Sequence, residues 1–288
     1  MKGSNHPKKA NSIRNEFPIS QSDFEALSQF IQKNYGIQLT EKKKTLLESR
    51  LQKRLKALNI RSFQEYVDVV LKKGDNIEVI QMIDAVSTNK TEFFRENMHF
   101  SLLKDIVFPT LTTKSQKPIR IWSAAASSGE EVYSIAMSTQ EYLDNNGLDV
   151  PYSILATDIS YQMLNQGIRA VYTGKRVENI PRYLKKKYLL KSKNPVNDTV
   201  RVVKELRSKV IFKRLNLMGT FDEINEAFDI IFCRNVLIYF DRKTQEQVIR
   251  KLCSKLKKDG YLFVGHAETV IGFDVPLTAI AHAAYQKV

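Results

Sequence analysis

One stretch of the chain, residues 227–241, strongly limits the folds that this protein can adopt. It begins as an apolar run interrupted only by Asp229 and ends with Arg234, Asn235 and Tyr239. A short run of this kind is typical of a strand buried on both faces of a parallel sheet. In open α/β sheets, ligands bind beyond the carboxyl ends of the strands. The stretch therefore predicts an α/β fold with Asn235 and Tyr239 at a ligand-binding edge, although a strand with an ordinary loop would show the same pattern.

A second stretch predicts a neighbouring strand, turn and helix. Residues 119–122 suggest a strand, the small residues 123–129 a turn, and residues 130–145 a helix. Small residues let a ligand approach the backbone, and the N–H groups at the start of the helix face the same space. The turn matches neither the dinucleotide-binding glycine pattern nor the P-loop. Glu130 and Glu131 would repel a phosphate, so the turn favours a hydroxyl-rich or cationic ligand instead.

Asp158 ends the next predicted strand, residues 152–158, and suggests that the ligand contains a ribose. A carboxylate in that place can accept hydrogen bonds from a ribose diol. Asp158 lies 29 residues beyond Gly129, compared with about 20 in dinucleotide sites, and the long intervening helix explains the excess. The predicted ligand thus contains a ribose, carries a positive charge and has no phosphate. S-adenosylmethionine has these properties. We weigh this cofactor against a generic Rossmann-like site.

The composition is typical of a globular protein in a reducing compartment. With 288 residues, 43% of them hydrophobic, the chain is long enough for two domains. No apolar run approaches the length of about 18 residues that a membrane span needs. Cys233 and Cys253 lie in apolar patterns without metal-ligand spacing, so we predict buried thiols, no metal and a cytoplasmic location. Residues 1–16 lack the apolar core of a signal peptide and are predicted to be a disordered tail.

The net charge of +14 is concentrated in one segment of the sequence. Residues 169–214 hold 15 basic and 3 acidic residues, whereas residues 1–86 hold 15 basic and 10 acidic residues. A concentrated basic segment favours a polyanionic partner, either nucleic acid or an acidic protein surface. A solvated lysine-rich face is the alternative, and it is the commoner explanation of such a run.

The pattern of the chain predicts a helical part followed by an α/β part. Residues 17–86 have helical spacing and predict an all-α domain, in which a helix over residues 41–58 carries leucines on one face and basic residues on the other. Residues 87–118 are expected to form a linker and a connecting helix. The α/β domain is expected to fill residues 119–288, with a small β insertion at about 172–214.

Ordered motifs in this arrangement resemble those of the bacterial chemotaxis receptor glutamate O-methyltransferases, the CheR family. The resemblance runs from Phe17 to the C-terminus and rests on residues 88–95, 122–131, 156–160, 232–240 and 265–268. It implies a class I S-adenosylmethionine-dependent methyltransferase domain of Rossmann-like fold with a β-subdomain, preceded by an all-α N-terminal domain. It also implies a cytoplasmic enzyme of signal transduction that serves receptor adaptation in chemotaxis.

The resemblance further implies roles for individual residues. Arg95 and Tyr239 are similar to the catalytic pair that frames the methyl group and the incoming glutamate. Glu131 is preferred to Glu130 only through the motif, since their spacing does not separate them. His266 is expected to be structural. The implied cofactor-binding residues are Asn89, Thr91, Arg95, Glu131, Asp158, Asn216, Leu217, Asn235 and Val236.

The substrate implied by the resemblance is a chemotaxis receptor whose cytoplasmic helical bundle carries acidic methylation sites. The products would be glutamate methyl esters and S-adenosylhomocysteine. The basic helix of residues 41–58 is the predicted docking surface, through Arg50, Lys53 and Arg54. In some relatives the β insertion anchors a C-terminal receptor peptide, and the sequence leaves this open here. We expect a monomer that reaches the membrane only through its receptors and binds no nucleic acid.

Two other functions stay open on the residues alone. A nucleic-acid methyltransferase would suit the basic segment, but no Pro-Pro pair follows Asn235, as amino-methylating enzymes commonly have. Cys233 also lies within a predicted strand, whereas a cytosine methyltransferase needs a nucleophilic cysteine after a proline. A catalytically idle adaptor that senses the cofactor would leave Arg95 and Tyr239 without a role. We therefore favour glutamate methylation.

Overall fold

The computed structural model describes residues 17–114, 117–194 and 196–288. The predicted tail, residues 1–16, lies outside the described residues. The chain forms two compact units, one of residues up to Phe30 with Leu39–Val86 and the other of Ile31–Gln38 with Ser87–Val288. The last break along the chain thus falls after Val86, while the short segment Ile31–Gln38 belongs to the second unit.

The first unit consists of amphipathic helices around a leucine-rich core. Leu47, Leu51 and Leu55 lie one turn apart and are buried, as the helical period requires. The third helix begins at Ser62, whose hydroxyl accepts a hydrogen bond from the backbone N–H of Glu65 at 3.2 Å. The helices are α1 (Gln21–Tyr35, which continues into the second unit), α2 (Lys44–Ala57) after a 3₁₀ turn (Glu41–Lys43), α3 (Phe63–Val67) continued by a π turn (Asp68–Lys72), and α4 (Asn76–Val86).

The second unit alternates strands and helices. Its helices are α5 (Met98–Leu102), α6 (Phe108–Lys114), α7 (Glu130–Asn145), α8 (Tyr161–Arg169), α9 (Arg182–Tyr188), α10 (Lys204–Arg207) and α11 (Arg242–Lys255), with a π turn (Leu103–Val107) and 3₁₀ turns (Gly174–Val177, Leu237–Tyr239). Its strands are β1 (Ile119–Ser123), β2 (Tyr152–Asp158), β3 (Val171–Thr173), β4 (Leu189–Lys191), β5 (Thr199–Val202), β6 (Val210–Arg214), β7 (Phe228–Cys233), β8 (Leu256–Val264), β9 (Leu277–Ala281) and β10 (Ala284–Lys287). None of the helices in the described ranges has the length and apolar character needed to cross a bilayer.

Seven of the described strands form one sheet in the order β6-β2-β1-β7-β8-β10-β9. The first five strands of this order run parallel, and β10 is antiparallel to both of its neighbours. Ser123 pairs with Ala156 on one side and with Phe232 on the other, so β1, β2 and β7 end at the same edge. The strand order reverses between β1 and β7, and ligands of open α/β sheets bind at such a switch point. The predicted α/β fold is confirmed.

The central strands are apolar because both of their faces are covered. Ile121 and Phe232 belong to one buried cluster, whereas Trp122 and Ile231 belong to another. Side chains of successive strand residues point to opposite faces, so the two clusters lie on the two sides of the sheet. This double burial explains why β7 is an apolar run interrupted only by Asp229.

Both cysteines of the chain are free thiols inside this unit. Cys233 ends β7 and Cys253 lies on α11, and both are buried. Burial raises the pKa of the Cys233 thiol well above its usual range and raises that of Cys253 to about 11. Both residues therefore stay protonated near neutral pH and react slowly.

The β insertion is smaller than the sequence suggested. Its sheet has the antiparallel order β3-β5-β4, which spans residues 171–202. The strand Val210–Arg214, expected to belong to this insertion, instead pairs with β2 as the edge of the large sheet. A five-residue run with alternating exposure suits a hairpin and a sheet edge equally, so the pattern did not reveal its partner.

Candidate functional site

The turn between β1 and α7 is fixed to the carboxyl ends of the neighbouring strands. The backbone N–H of Ala124 donates to the Phe232 carbonyl at 2.7 Å, and that of Ala126 donates to the Thr157 carbonyl at 2.9 Å. Gly129 has a φ of +93°, a conformation that favours glycine. Small side chains and this backbone path bring the turn directly against the ends of β2 and β7.

Asp158 is buried at the end of β2, where its carboxylate holds the turn. One oxygen accepts a hydrogen bond from the backbone N–H of Ser127 at 2.8 Å, and the other accepts from that of Ser160 at 2.9 Å. Asp158 is therefore positioned rigidly at the end of β2, as a carboxylate beside the turn.

Glu131, the second of the two acids that begin α7, lies at the edge of the sheet. One of its oxygens accepts from the Ser123 hydroxyl at 2.8 Å, and the other accepts from Arg234 at 3.0 Å. Its side chain keeps 12% of its surface exposed. These contacts place the Glu131 carboxylate between the ends of β1 and β7.

Glu130 has a different environment, which the spacing of the two acids did not reveal. It is fully buried, lies 2.6 Å from the Arg176 guanidinium and accepts a hydrogen bond from the Ser128 hydroxyl at 2.7 Å. Burial raises the pKa of Glu130. Because its contacts are with the turn itself and with the segment after β3, Glu130 is a structural residue.

The linker that follows Val86 lies against the same turn. The backbone carbonyl of Asn89 accepts a hydrogen bond from the Ser127 hydroxyl at 3.1 Å, and Thr91 is half-buried. The Arg95 guanidinium donates to the Lys90 carbonyl at 3.1 Å. Its side chain is 31% exposed and lies 4.0 Å from the Glu96 carboxylate, so Arg95 has donors to offer to a further anion.

The loop after β7 is held by the carboxylate of Glu268. Asn235 has a φ of +57°, which is uncommon outside glycine. The Glu268 carboxylate accepts hydrogen bonds from the backbone N–H groups of Asn235 at 2.9 Å, Ile238 at 3.2 Å and Gly265 at 2.6 Å. Burial raises the pKa of Glu268, although these hydrogen bonds oppose the effect. The Glu268 carboxylate thereby fixes the unusual backbone that presents the Asn235 side chain.

The remaining predicted residues lie on two adjoining loops. Val236 and Tyr239 are half-buried and pack against one of the two core clusters. Asn216 and Leu217 follow β6. Directly after this strand, the backbone N–H of Leu215 donates to the Asp158 carbonyl at 2.9 Å. The Asn216 side chain donates to the Asn34 carbonyl at 2.8 Å, and Leu217 is buried.

A buried arginine, Arg234, connects several of these segments, and its role was missed in the sequence. Its guanidinium donates to Glu131 and to Glu96, each at 3.0 Å, and to the Arg95 carbonyl. Burial alone would raise the pKa of Glu96, but the hydrogen bond from Asn235 and the charge of Arg234 lower it to about 2. Arg234 and Glu268 lie inside motifs that carry the family resemblance, and Glu96 directly follows another, which is the signal that the sequence offers. Their roles depend on contacts that a sequence does not show.

Glu96, His99 and His266 offer a set of ligand types that resembles a zinc site. Their nearest oxygen and nitrogen atoms lie within 4.8 Å of one another. However, the Arg234 guanidinium lies 3.0 Å from the Glu96 carboxylate, so a metal ion bound to the same carboxylate would lie close to this positive charge and be repelled by it. The cluster is therefore better explained as a buried ion pair flanked by histidine rings.

The buried ring of His99 makes stability depend on pH. Burial, and then the nearby charge of Arg234, lower the pKa of His99 to about 4, while Glu96 and the backbone of His282 oppose this. The unfolded chain takes up the proton near pH 6.5, so stability should fall as the pH drops from about 6.5 to 4. At about 1.4 kcal/mol per pKa unit, the loss is on the order of 3 kcal/mol. Glu96 contributes only below its ordinary pKa of 4.5, because its own pKa is lowered.

A phenylalanine at position 99 tests this dependence. Neither ring nitrogen of His99 makes a hydrogen bond of normal geometry within the described residues, and the ring packs against Phe263 and His266. His99→Phe should therefore remove most of the loss of stability between pH 7 and pH 4.5 in urea unfolding. The exposed His282 is the control, and His282→Phe should retain the loss. An equal loss in both variants would contradict the assignment.

The predicted docking residues lie on α2 of the helical unit and differ in their surroundings. Arg50 donates to the Val86 carbonyl at 2.5 Å. Arg54 forms an ion pair of 2.5 Å with the buried Glu78, which also accepts from the Tyr66 hydroxyl. Lys53 is exposed. Two of the three cations thus stabilise the helical unit itself, and Lys53 presents its charge to solvent.

The hydrogen-bond acceptors at the sheet edge suit the nucleoside that the sequence predicts. Asp158 and Glu131 bring two carboxylates to a turn of small residues, and the loop at Leu217 adds apolar surface. Carboxylates favour hydroxyl and ammonium groups and disfavour phosphate. S-adenosylmethionine has a ribose, an ammonium and a sulfonium, so the residues present fit it.

Comparison with known proteins agrees with this chemistry. A family model described as "CheR methyltransferase, SAM binding domain" matches residues 89–284, and one described as "CheR methyltransferase, all-alpha domain" matches residues 22–87. A "Chemotaxis protein methyltransferase" of Borreliella burgdorferi is 44% identical over 93% of this chain and 95% of its own length. The "Chemotaxis protein methyltransferase 2" of Pseudomonas aeruginosa is 37% identical over 94% of each chain, and the Escherichia coli relative is 35% identical over 87% of this chain and 85% of its own. The chain therefore belongs to the CheR family of chemotaxis protein methyltransferases, with an all-α domain followed by an S-adenosylmethionine-binding domain.

Proposed function

We propose that this protein methylates glutamate side chains in the cytoplasmic domains of chemotaxis receptors, converting S-adenosylmethionine to S-adenosylhomocysteine. The observation that carries the proposal is the position of Arg95. Its guanidinium is partly exposed and has donors left to offer, and it lies on the linker that contacts the turn between β1 and α7. Guanidinium groups bind carboxylates in a planar, bidentate geometry. A glutamate side chain carries such a carboxylate and therefore fits this group.

Each of the proposed cofactor-binding residues would contact a different part of S-adenosylmethionine. Asp158 would accept hydrogen bonds from the ribose, and Glu131 would hold the cationic amino-acid part. Asn216 and Leu217 would flank the adenine. Asn89, Thr91, Asn235 and Val236 would complete the contacts on the linker and the β7 loop. When bound, S-adenosylmethionine supplies a methyl group activated by its positively charged sulfur.

The reaction needs positioning more than acid–base chemistry. A glutamate side chain has an ordinary pKa of about 4.3, so it is already an anionic nucleophile near neutral pH. Arg95 would orient this carboxylate, and Tyr239 would confine its approach. Alignment of two reactants can lower a barrier by roughly 7–11 kcal/mol. The proposed site can therefore work without a general base.

Receptor docking through α2 is proposed to depend mainly on Lys53. We expect Lys53→Glu to raise the KM for a receptor fragment several-fold, because an exposed charge that meets an acidic surface affects encounter and affinity. The affinity for S-adenosylhomocysteine should stay within twofold of the wild-type value. Both quantities can be measured by steady-state kinetics and calorimetry.

Arg54→Glu provides the contrasting variant for this prediction. It would place a second acid beside the buried Glu78, with which Arg54 now pairs, and should lower the melting temperature. If Lys53→Glu also lowers stability, or leaves the KM for the receptor unchanged, docking through Lys53 is wrong.

Transfer of labelled methyl groups tests the proposed reaction. The enzyme is incubated with labelled S-adenosylmethionine and a receptor cytoplasmic fragment. The labelled fragment is then treated with alkali. Base-labile label released as methanol would support glutamate esters, because an ester hydrolyses where an N-methyl group does not. Label on nucleic acid instead would favour a nucleic-acid methyltransferase. Cofactor binding without transfer to the receptor would favour an adaptor.

A further inference from the structure

Arg234 connects three segments of the candidate site through one buried side chain. Its side chain is only 1% exposed. The guanidinium contacts the start of α7 through Glu131 and the linker through both Glu96 and the Arg95 carbonyl. Arg234 itself directly follows β7. One planar group thus joins parts of the chain that are separated by up to 139 residues.

Two of the three residues that Arg234 contacts are proposed to act on the cofactor or the substrate. Glu131 is a proposed cofactor ligand, and Arg95 is proposed to orient the substrate carboxylate. Glu96 in turn accepts a hydrogen bond from the side-chain amide of Asn235 at 3.0 Å. A shift of the Arg234 guanidinium would therefore move several proposed contacts together.

Stability alone is a poor explanation of this arginine. Burying a charge is energetically costly, and apolar replacements of buried ion pairs are often neutral or stabilising. The Nε of Arg234 is buried without a hydrogen-bonding partner among the residues that the structure describes, which adds to the cost. The arrangement is therefore poor for stability. It does fix the positions of the groups around Arg234 relative to one another, because a guanidinium donates in fixed directions within one plane.

We propose that Arg234 is a positioning residue for methyl transfer, whose guanidinium aligns Glu131 with the linker segment of Arg95 and Glu96 at the end of β7. The inference rests on the proposed function. A lysine would keep the positive charge, but its single ammonium group cannot reproduce the planar, branched geometry. Arg234→Lys therefore separates the effect of the guanidinium geometry from the effect of the positive charge.

Arg234→Lys is the first test. We expect the Kd for S-adenosylhomocysteine to rise about tenfold, and kcat at saturating cofactor to fall at least tenfold, since small misplacements of reacting groups have large kinetic effects. Calorimetry measures the Kd without any receptor, and kcat is corrected for the folded fraction. A lower melting temperature with unchanged Kd and kcat would overturn the proposal, because a purely structural role predicts that result.

A double-mutant cycle with Glu131→Gln shows whether Arg234 acts through Glu131. If it does, the two substitutions together should raise the Kd by clearly less than the product of their separate effects. Independent, multiplying effects would overturn the proposed coupling. Arg250 offers a matched control, since it also bridges two carboxylates, those of Glu246 and Asp274, but is exposed. Arg250→Lys should leave Kd and kcat within twofold of wild type.

A second variant keeps the proposal testable if Arg234→Lys does not fold. Glu96→Gln preserves size and removes one of the two carboxylates that Arg234 contacts. We expect kcat to fall several-fold while the Kd for S-adenosylhomocysteine stays within threefold, because the contact of Arg234 with Glu131 remains. An unchanged kcat would overturn the linker part of the proposal. If the wild-type protein gives no base-labile label, the proposed function fails, whereas the coupling of Arg234 and Glu131 in the Kd is still measured.

Discussion

Replacing Arg95 with alanine should lower kcat roughly 100-fold, the scale expected when a reactant loses its alignment. The guanidinium of Arg95 would no longer orient the glutamate carboxylate, while the proposed cofactor acids stay in place. Stability should change by less than about 1 kcal/mol. The side chain is partly exposed, and its contacts are a hydrogen bond to the Lys90 carbonyl and a long approach to Glu96.

Single-turnover methyl transfer and thermal unfolding together measure these two effects of Arg95→Ala. Arg95→Lys should be intermediate, because it keeps the charge but loses the planar pair of donors. Tyr239→Phe should be milder than Arg95→Ala, since it removes a hydroxyl and keeps the ring. Methyl transfer at the wild-type rate in Arg95→Ala would rule out the proposed role of Arg95.

Replacing Asp158 with alanine should weaken the binding of S-adenosylhomocysteine about 100-fold, within the range found when a buried, hydrogen-bonded charge is truncated. Two effects contribute to this loss. The proposed ribose acceptor disappears, and the backbone N–H groups of Ser127 and Ser160 lose their shared acceptor. The turn beside the cofactor should loosen as a result.

Two further variants, one at the same position and one control, are compared with Asp158→Ala. Asp158→Asn keeps one carbonyl oxygen and should bind more tightly than the alanine variant. Asp229 is a matched acid at the amino end of β7, where it accepts from the Arg120 backbone and pairs with Lys257. Asp229→Asn should leave the Kd unchanged in calorimetry. Tight binding by Asp158→Ala would contradict the assignment of Asp158 to the cofactor.

Strands and the helix nearest the site could be predicted because burial leaves a direct mark on a sequence. The run at Phe228–Cys233 is covered on both faces, and the helix expected over residues 130–145 is present as Glu130–Asn145. The edge strand Val210–Arg214 shows no continuous apolar run, since within the described part of the chain only one of its sides pairs with a strand. A pattern of residues shows that a strand exists more readily than it shows which strand is its partner.

Side-chain networks were the least predictable part of the site. Helical periodicity correctly separates the leucine face of α2 from its basic face, but it does not show that Arg54 pairs with Glu78, which is 24 residues away. Likewise, the motifs contain Arg234 and Glu268, and one of them ends directly before Glu96, yet the contacts of these residues join segments that are distant in the sequence. The family resemblance identified the residues proposed to contact ligands and left out those that hold them in place.

The burial of both native thiols has a practical consequence for mapping receptor docking. Cys233 and Cys253 are protonated and shielded, so maleimide reagents should modify them slowly in the folded protein. A cysteine introduced in place of exposed Lys53 would then be the fast-reacting thiol without any prior removal of native cysteines. Its labelling rate with and without a receptor fragment would give a direct footprint of the docking surface, and a photoactivatable label at the same place could covalently trap the partner.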